Sequence, residues 1–295
     1  MEVRGTPAYQ RDMVAEQAPL VALAERYNVL PADLDGWTVA VNLTRNGCRI
    51  GNPALRFYAE KLAARSVLAR AAGLVGPLRG ATQMVHETLR EPFAGELDLE
   101  TTLENVLGKS FPEPGDWVVQ HREERRHQVV LMVDTSLSMS GENMAIAAVA
   151  AAVLALKLRP EDLSVVVFED HAEAVTHLEV ADPADEVVRR MLDQPVRGYT
   201  NIAAALELGA AELERGRNPR RSGLLITDGV VTAGGDPLPV AHRFPHLFVL
   251  LTEDYKMNPE LCRQLADAGH GDVFPVRAFH DLPARLLDVA NRVLR

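Results

Sequence analysis

The chain has 295 residues, 47% of them hydrophobic and 24% charged, which is long enough for one large core and a smaller second domain. Its formal charge of −10 argues against nonspecific binding to nucleic acid or to an acidic membrane, and leaves basic partner surfaces open. The start, Met-Glu-Val-Arg-Gly-Thr-Pro, carries no apolar signal segment. No later stretch is apolar over the ~18 residues a membrane span needs, and two cysteines, Cys48 and Cys262, read as free thiols in a reducing cytoplasm.

In chain order, Leu20 to Tyr27 suggests a short helix, Trp37 to Leu43 a short strand, Leu55 to Ala72 a clear helix and Ala81 to Leu89 a third helix. Pro31, Gly36, Gly47, Gly51, Pro53, Gly73, Gly76 and Pro77 punctuate them. The run Gly95-Glu-Leu-Asp-Leu-Glu-Thr-Thr-Leu-Glu-Asn reads as a capped short helix with a solvated acidic face, and Trp117 to Gln120 begins an edge strand. A boundary is expected near residue 116, with a mainly helical domain over 1–115 ahead of an α/β domain over 116–295.

The second half alternates. Strand Val129–Val133 is apolar at every position, as in a parallel strand buried on both faces, and an Ala-rich helix, Asn143–Leu158, follows. Then come strand Leu163–Phe168, an antiparallel edge strand Ala174–Leu178, helix Ala184–Leu192 and helix Ile202–Glu214. Strand Gly223–Ile226, a helical piece near Pro237–Ala241, strand His246–Leu251, helix Asn258–Ala268, strand Asp272–Pro275 and a closing helix Leu282–Leu294 complete the order. Such alternation predicts an α/β fold with a doubly wound, mostly parallel sheet and right-handed crossovers.

Three polar motifs fall at the expected carboxyl edge of that sheet. Asp134-Thr-Ser136-Leu-Ser138 follows the first buried strand, Thr200 lies in the loop before a helix, and Thr227-Asp228-Gly229 ends another buried strand. If the strands are parallel, all three meet at one edge, where open α/β sheets bind ligands. The set Asp134, Ser136, Ser138, Thr200 and Asp228 is all oxygen, which suits Mg²⁺ or Mn²⁺ and not zinc. Each motif has an ordinary reading: an Asp with serines is often a helix cap, Thr200-Asn201 can cap the helix from Ile202, and Asp-Gly is a turn. The three together in this order argue for the metal.

Enzymatic readings of these residues fare worse. Aspartyl phosphotransferases resemble Asp-x-Asp, but the second position here is Ser136, which cannot act as a general acid near neutral pH. Neither Ser136 nor Ser138 sits in Gly-x-Ser-x-Gly, and no phosphate-binding Gly-x-x-x-x-Gly-Lys-Ser/Thr run occurs. His242 and His246 are four apart, but Pro245 interrupts any helix that would align them.

The constellation Asp-x-Ser-x-Ser, loop Thr and Thr-Asp-Gly resembles the metal-ion-dependent adhesion site of the von Willebrand factor A (VWA) family, over roughly the last three-fifths of the chain. The resemblance implies that Asp134, Ser136 and Ser138 coordinate the ion, that Thr200 binds it directly or through water depending on conformation, and that Asp228 reaches it mainly through water. Leu137 stands where many members have glycine. With the preceding Gly95-Glu-Leu-Asp-Leu-Glu-Thr-Thr-Leu segment, the chain is similar to bacterial intracellular A-domain proteins of the CoxE and ViaA type, which act beside MoxR-family AAA+ ATPases. That resemblance implies a cytoplasmic, non-catalytic adaptor whose metal captures an Asp or Glu of an ATPase or its client. Two other functions stay open: a metal-chelatase subunit using the same domain, and a Mg²⁺-dependent phosphatase. The ~115 residues ahead of the sheet are few for the ATPase module that a chelatase subunit carries there.

Overall fold

A computed structural model describes residues 18–45, 50–75, 82–89, 96–124, 126–195, 198–252 and 257–293. Its contacts divide the chain into two units, one made of the residues up to 76 with 127–293, the other of 77–126. In chain order the elements are helix α1, seen over 18–27, α2 (Gly36–Leu43), α3 (Pro53–Val75), strands β1 (Thr82–Thr88) and β2 (Glu96–Leu97), α4 (Leu99–Val106), β3 (Val118–Glu124), β4 (Gln128–Asp134), α5 (Glu142–Lys157), β5 (Leu163–Phe168), β6 (Ala172–Thr176) and α6 (Ala184–Leu192). The chain continues through α7 (Ile202–Arg215), β7 (Arg221–Thr227), the single turn α8 (Leu238–Ala241), β8 (Leu247–Thr252), α9 (Pro259–Ala268), β9 (Val273–Val276) and α10 (Leu282–Val293).

The larger unit is built on a six-stranded sheet in the order β6-β5-β4-β7-β8-β9, parallel throughout except for the antiparallel edge strand β6. Every residue of β4 is buried, as its position between β5 and β7 requires. The chain goes from β4 to β5 on one side and returns to β7 on the other. The strand order therefore reverses at β4, and the loops after β4 and β7 flank the crevice this creates.

Helix α5 explains why the expected boundary at 116 is not the one the contacts make. All residues from Met144 to Leu154 are buried, so α5 needs cover on the face turned away from the sheet. Helix α3, which buries Ala59, Ala63, Ala64, Val67 and Ala71, supplies part of it, packing against α5 and α6 as well as α2. Helix α10 packs on α5 as well. The first helices thus belong to the sheet unit and not to a separate domain over 1–115.

Three further expectations are corrected. Trp37–Leu43 is helical, because the Asp35 carboxylate accepts the Thr38 amide at 2.7 Å as an N-cap and the helix buries Val39 and Ala40. Of the helix expected over Ala81–Leu89, Thr82–Thr88 is strand β1 and Ala81 lies outside the described residues: Met84, Val85 and Leu89 fall at helical spacing, but an unbroken antiparallel register with β3, from Thr82↔Glu124 to Thr88↔Val118, overrides it. β3 is then the middle strand of a three-stranded sheet, order β1-β3-β2, and not an edge. The acidic helix α4 forms as expected, capped by Asp98. Among the described residues no helix is long and apolar enough to cross a membrane.

Candidate metal centre

The last residue of β4 is Asp134, paired in register with Phe168 of β5 and 4% exposed. One carboxylate oxygen accepts the Ser136 amide at 2.9 Å, and the other faces the Thr227 hydroxyl at the end of β7, at 3.4 Å. The Ser136 hydroxyl bonds the same carboxylate. Burial pushes the carboxyl up to about 6, and the charge of Asp228 pushes the same way, against the hydrogen bonds of Ser136 and Thr227. The two aspartates that sequence assigned to one ion are thus close enough to repel.

The loop after β4 is fixed from beneath. Thr135 donates both its amide and its hydroxyl to the Phe168 carbonyl at 2.9 Å, which ties the start of the loop to the end of β5. Ser136 then leads into a 3-10 turn, Leu137–Met139, and Gly141 begins α5. The N-cap position of α5 is Gly141, which has no side chain to cap the helix with. The backbone of Ser138 lies in the turn, and its side chain lies outside the described residues. Leu137 is exposed, so the side chain at that position leaves the core untouched.

Thr200 is buried and, among the described residues, held by its backbone: its amide donates to the Thr232 hydroxyl at 2.8 Å, and its carbonyl accepts the amides of Thr232 and Ala233 at 3.0 and 3.2 Å. Capping of α7 falls to the neighbour, since the Asn201 side chain accepts the Ala204 amide at 3.1 Å. Asn201 also donates to the Asp170 carbonyl at 2.9 Å. Gly234, at φ +84°, passes so close to Asn201 that a Cβ there would collide with its amide. Asp228 follows β7, accepts the Val230 amide at 2.8 Å and turns the chain through Gly229 at φ +79°.

The structure therefore brings Asp134, Ser136 and Thr227 into direct contact and places Asp228 within electrostatic range of them. It ties the Thr200 loop to the 232–233 turn and, through the Asn201 amide on the Glu169 carbonyl at 2.6 Å, to the end of β5. Among the described residues no group of three or more His, Cys, Asp or Glu gathers to hold an ion, and the candidate set needs only its two aspartates with hydroxyls. A buried carboxylate destabilised by burial and by a like charge, and ringed by hydroxyls, fits a hard divalent cation. Sequence reasoning placed Thr227 in the third motif without giving it a contact, and missed Thr232 and Gly234, which carry no local signal.

A sheet that reverses at β4, with carboxylates and hydroxyls at that reversal, defines an α/β domain of the VWA class. The chain belongs to the family described as VWA domain containing CoxE-like protein, which matches residues 70–241. No curated protein matches the chain. Solved structures similar to it include a von Willebrand factor type A protein from Catenulispora acidiphila, at 17% identity over 60% of this chain and 45% of that one, TM-score 0.48. Proximal thread matrix protein 1 from the mussel byssus, with a zinc-occupied MIDAS motif, is 19% identical over 57% of this chain and 48% of its own, TM-score 0.48. BatB from Bacteroides thetaiotaomicron is 17% identical over 56% of this chain and 98% of its own, TM-score 0.42. The chain covers 47% of the length of another mussel thread matrix structure, at 19% identity.

Proposed function

We propose that this chain is a non-catalytic, Mg²⁺-dependent protein-binding adaptor of the bacterial cytoplasm, working with a MoxR-type AAA+ ATPase in remodelling or maturation of a client complex. Mn²⁺ would serve the same site. The observation that carries the reading is the Asp134–Asp228 pair, two like charges drawn together at the sheet's reversal point with hydroxyls around them. Asp134, Ser136, Ser138 and Thr200 would hold the ion, with Asp228 balancing its charge. When bound, the ion would offer a coordination position to an Asp or Glu of the partner.

The chain's own groups do the rest. Thr135 and Thr227 pin the two strand ends, so the aspartates stay opposed and do not swing apart into solvent. Thr232 fixes the Thr200 backbone while leaving its hydroxyl uncommitted among the described residues. The neutral hydroxyls add oxygen without charge, which keeps the ion electrophilic toward a partner's carboxylate. The second position of the motif is serine and not a second carboxylate, which favours capture over phosphoryl transfer. The test is retention of a purified MoxR-type ATPase by the immobilised chain, with Mg²⁺ and with chelator. Retention lost in chelator is expected, and equal retention in both would overturn the metal bridge.

A further inference from the structure

The metal loop has a second anchor, far away in sequence. Its far end is Gly141, which sits at φ +80°, ψ −120°, a conformation open to glycine and little else. Across from it is Thr44, the residue that ends α2. The Thr44 hydroxyl has its nearest acceptor in the Gly141 carbonyl at 2.8 Å, ahead of the Val41 and Ala40 carbonyls of its own helix at 3.1 and 3.2 Å. In return the Gly141 amide donates to the Thr44 carbonyl at 3.3 Å. Thr44 is 3% exposed, so this pair of bonds has little water to compete with it.

The same Gly141 carbonyl accepts the first helical bond of α5, from the Ala145 amide at 3.2 Å. It thus joins three things: the end of the metal loop, the start of α5 and the end of α2. The α2 side is closely packed. Gly36 lets α2 lie against α3 so closely that a Cβ there would be 2.6 Å from the Leu62 carbonyl oxygen, and α3 is packed on α5 and α6. The stem of Arg45 lies over Gly141, with its Cγ 3.4 Å from where a Cβ would stand. With Asp134 holding the Ser136 amide at one end and Thr44 holding Gly141 at the other, residues 136–141 are clamped at both ends.

We propose that Thr44 is a positioning residue of the metal site, and that through it the α2–α3 pair and the metal loop are thermodynamically coupled. The inference rests on the metal-site reading above. Coupling of this kind is reciprocal: if α2 sets the loop's affinity for the ion, the ion must in turn stabilise the end of α2. A partner that grips α2 and α3 would then raise or lower metal affinity without touching the metal.

The test is Mg²⁺ titration of the full chain by calorimetry, for the wild type, Thr44→Val and Thr44→Ser, with metal-free melts of each. Valine keeps the shape, removes the donor and leaves the Gly141 carbonyl short of a partner, so Mg²⁺ affinity should fall about tenfold. Serine should restore it to within about twofold. If Thr44→Val melts lower but binds Mg²⁺ as the wild type does, Thr44 is only structural and the coupling is wrong. If the wild type itself takes no Mg²⁺, the metal site has been misread and the coupling falls with it. Should Thr44→Val fail to fold, amide exchange on the wild type decides. Mg²⁺ should slow exchange over residues 40–45 in the wild type and leave it unchanged in Asp134→Ala, and no Mg²⁺ effect in the wild type would overturn the proposal.

Discussion

The two edges of the large sheet bury polar side chains in opposite ways. At the amino edge, just before β4, His127 Nε2 pairs with the Ser222 hydroxyl at 2.9 Å. Beside it the Gln128 amide donates to Glu179 at 2.6 Å and its oxygen accepts the Asn218 amide at 3.1 Å. Donors there meet acceptors. At the carboxyl edge Asp134 and Asp228 bring two acceptors of the same charge together, with hydroxyls and amides only partly offsetting them. Burial alone does not mark a site, because His127, Gln128 and Ser222 are buried just as Asp134 is; the imbalance of charge does.

The widest separation between the edges should appear with pH in metal-free protein. Burial lowers His127 to about 4, helped by the charges of His246 and Arg220 and opposed by Asp162. Between pH 6.5 and 4 the unfolded chain therefore holds a proton the folded chain refuses, and stability is lost as pH falls, by about 3 kcal/mol over the window. Asp134, raised to about 6 by burial and by Asp228, does the reverse. It holds a proton in the folded state that the unfolded chain gives up above pH 3.8, so its contribution is present at low pH and lost as pH rises through about 6. The two slopes oppose each other in the wild type. Urea unfolding across pH 4–7 should show Asp134→Asn losing stability on acidification and His127→Gln gaining it; parallel profiles for the two variants would break the comparison.

A smaller effect sharpens it from the amino edge. Ser222→Ala leaves His127 without its hydroxyl partner and should cost about 1–3 kcal/mol by denaturant unfolding. The increment of stability gained from Mg²⁺ should be unchanged, since the two edges lie at opposite ends of β4 and β7. A Mg²⁺ increment that fell with Ser222 would join what the structure separates.

Much of this was legible in the sequence, for identifiable reasons. Strands buried on both faces announce themselves as apolar runs, so β4, β5, β7 and β8 could be placed, and with them Asp134 and Asp228 at the ends of β4 and β7. The first third was harder, because its elements are settled by pairing and packing. The cap at Asp35 and the β1–β3 ladder decide segments whose local patterns point elsewhere. Helix α5 carried the sign that would have moved the boundary, an apolar sequence on all faces, but not which helices cover it. Thr44 and Thr232 act on residues 97 and 32 positions away, and no local pattern marks such partners.

The smallest expected effect on stability belongs to Thr200. Its anchoring bonds are backbone bonds that Thr200→Val keeps, so the metal-free melt should stay within about 0.5–1 kcal/mol of the wild type. Capture of the ATPase partner should weaken all the same. If the variant unfolds instead, Thr200 is a structural residue and plays no part in binding.

The central claim is that Asp134 is a metal ligand, and thermal melts with and without Mg²⁺ test it most directly. At Mg²⁺ one hundred times above its dissociation constant the wild type should gain about 2.7 kcal/mol, while Asp134→Ala, folded without metal, should gain almost nothing. Equal shifts in both proteins, or no shift of the wild type at any millimolar concentration, would contradict it.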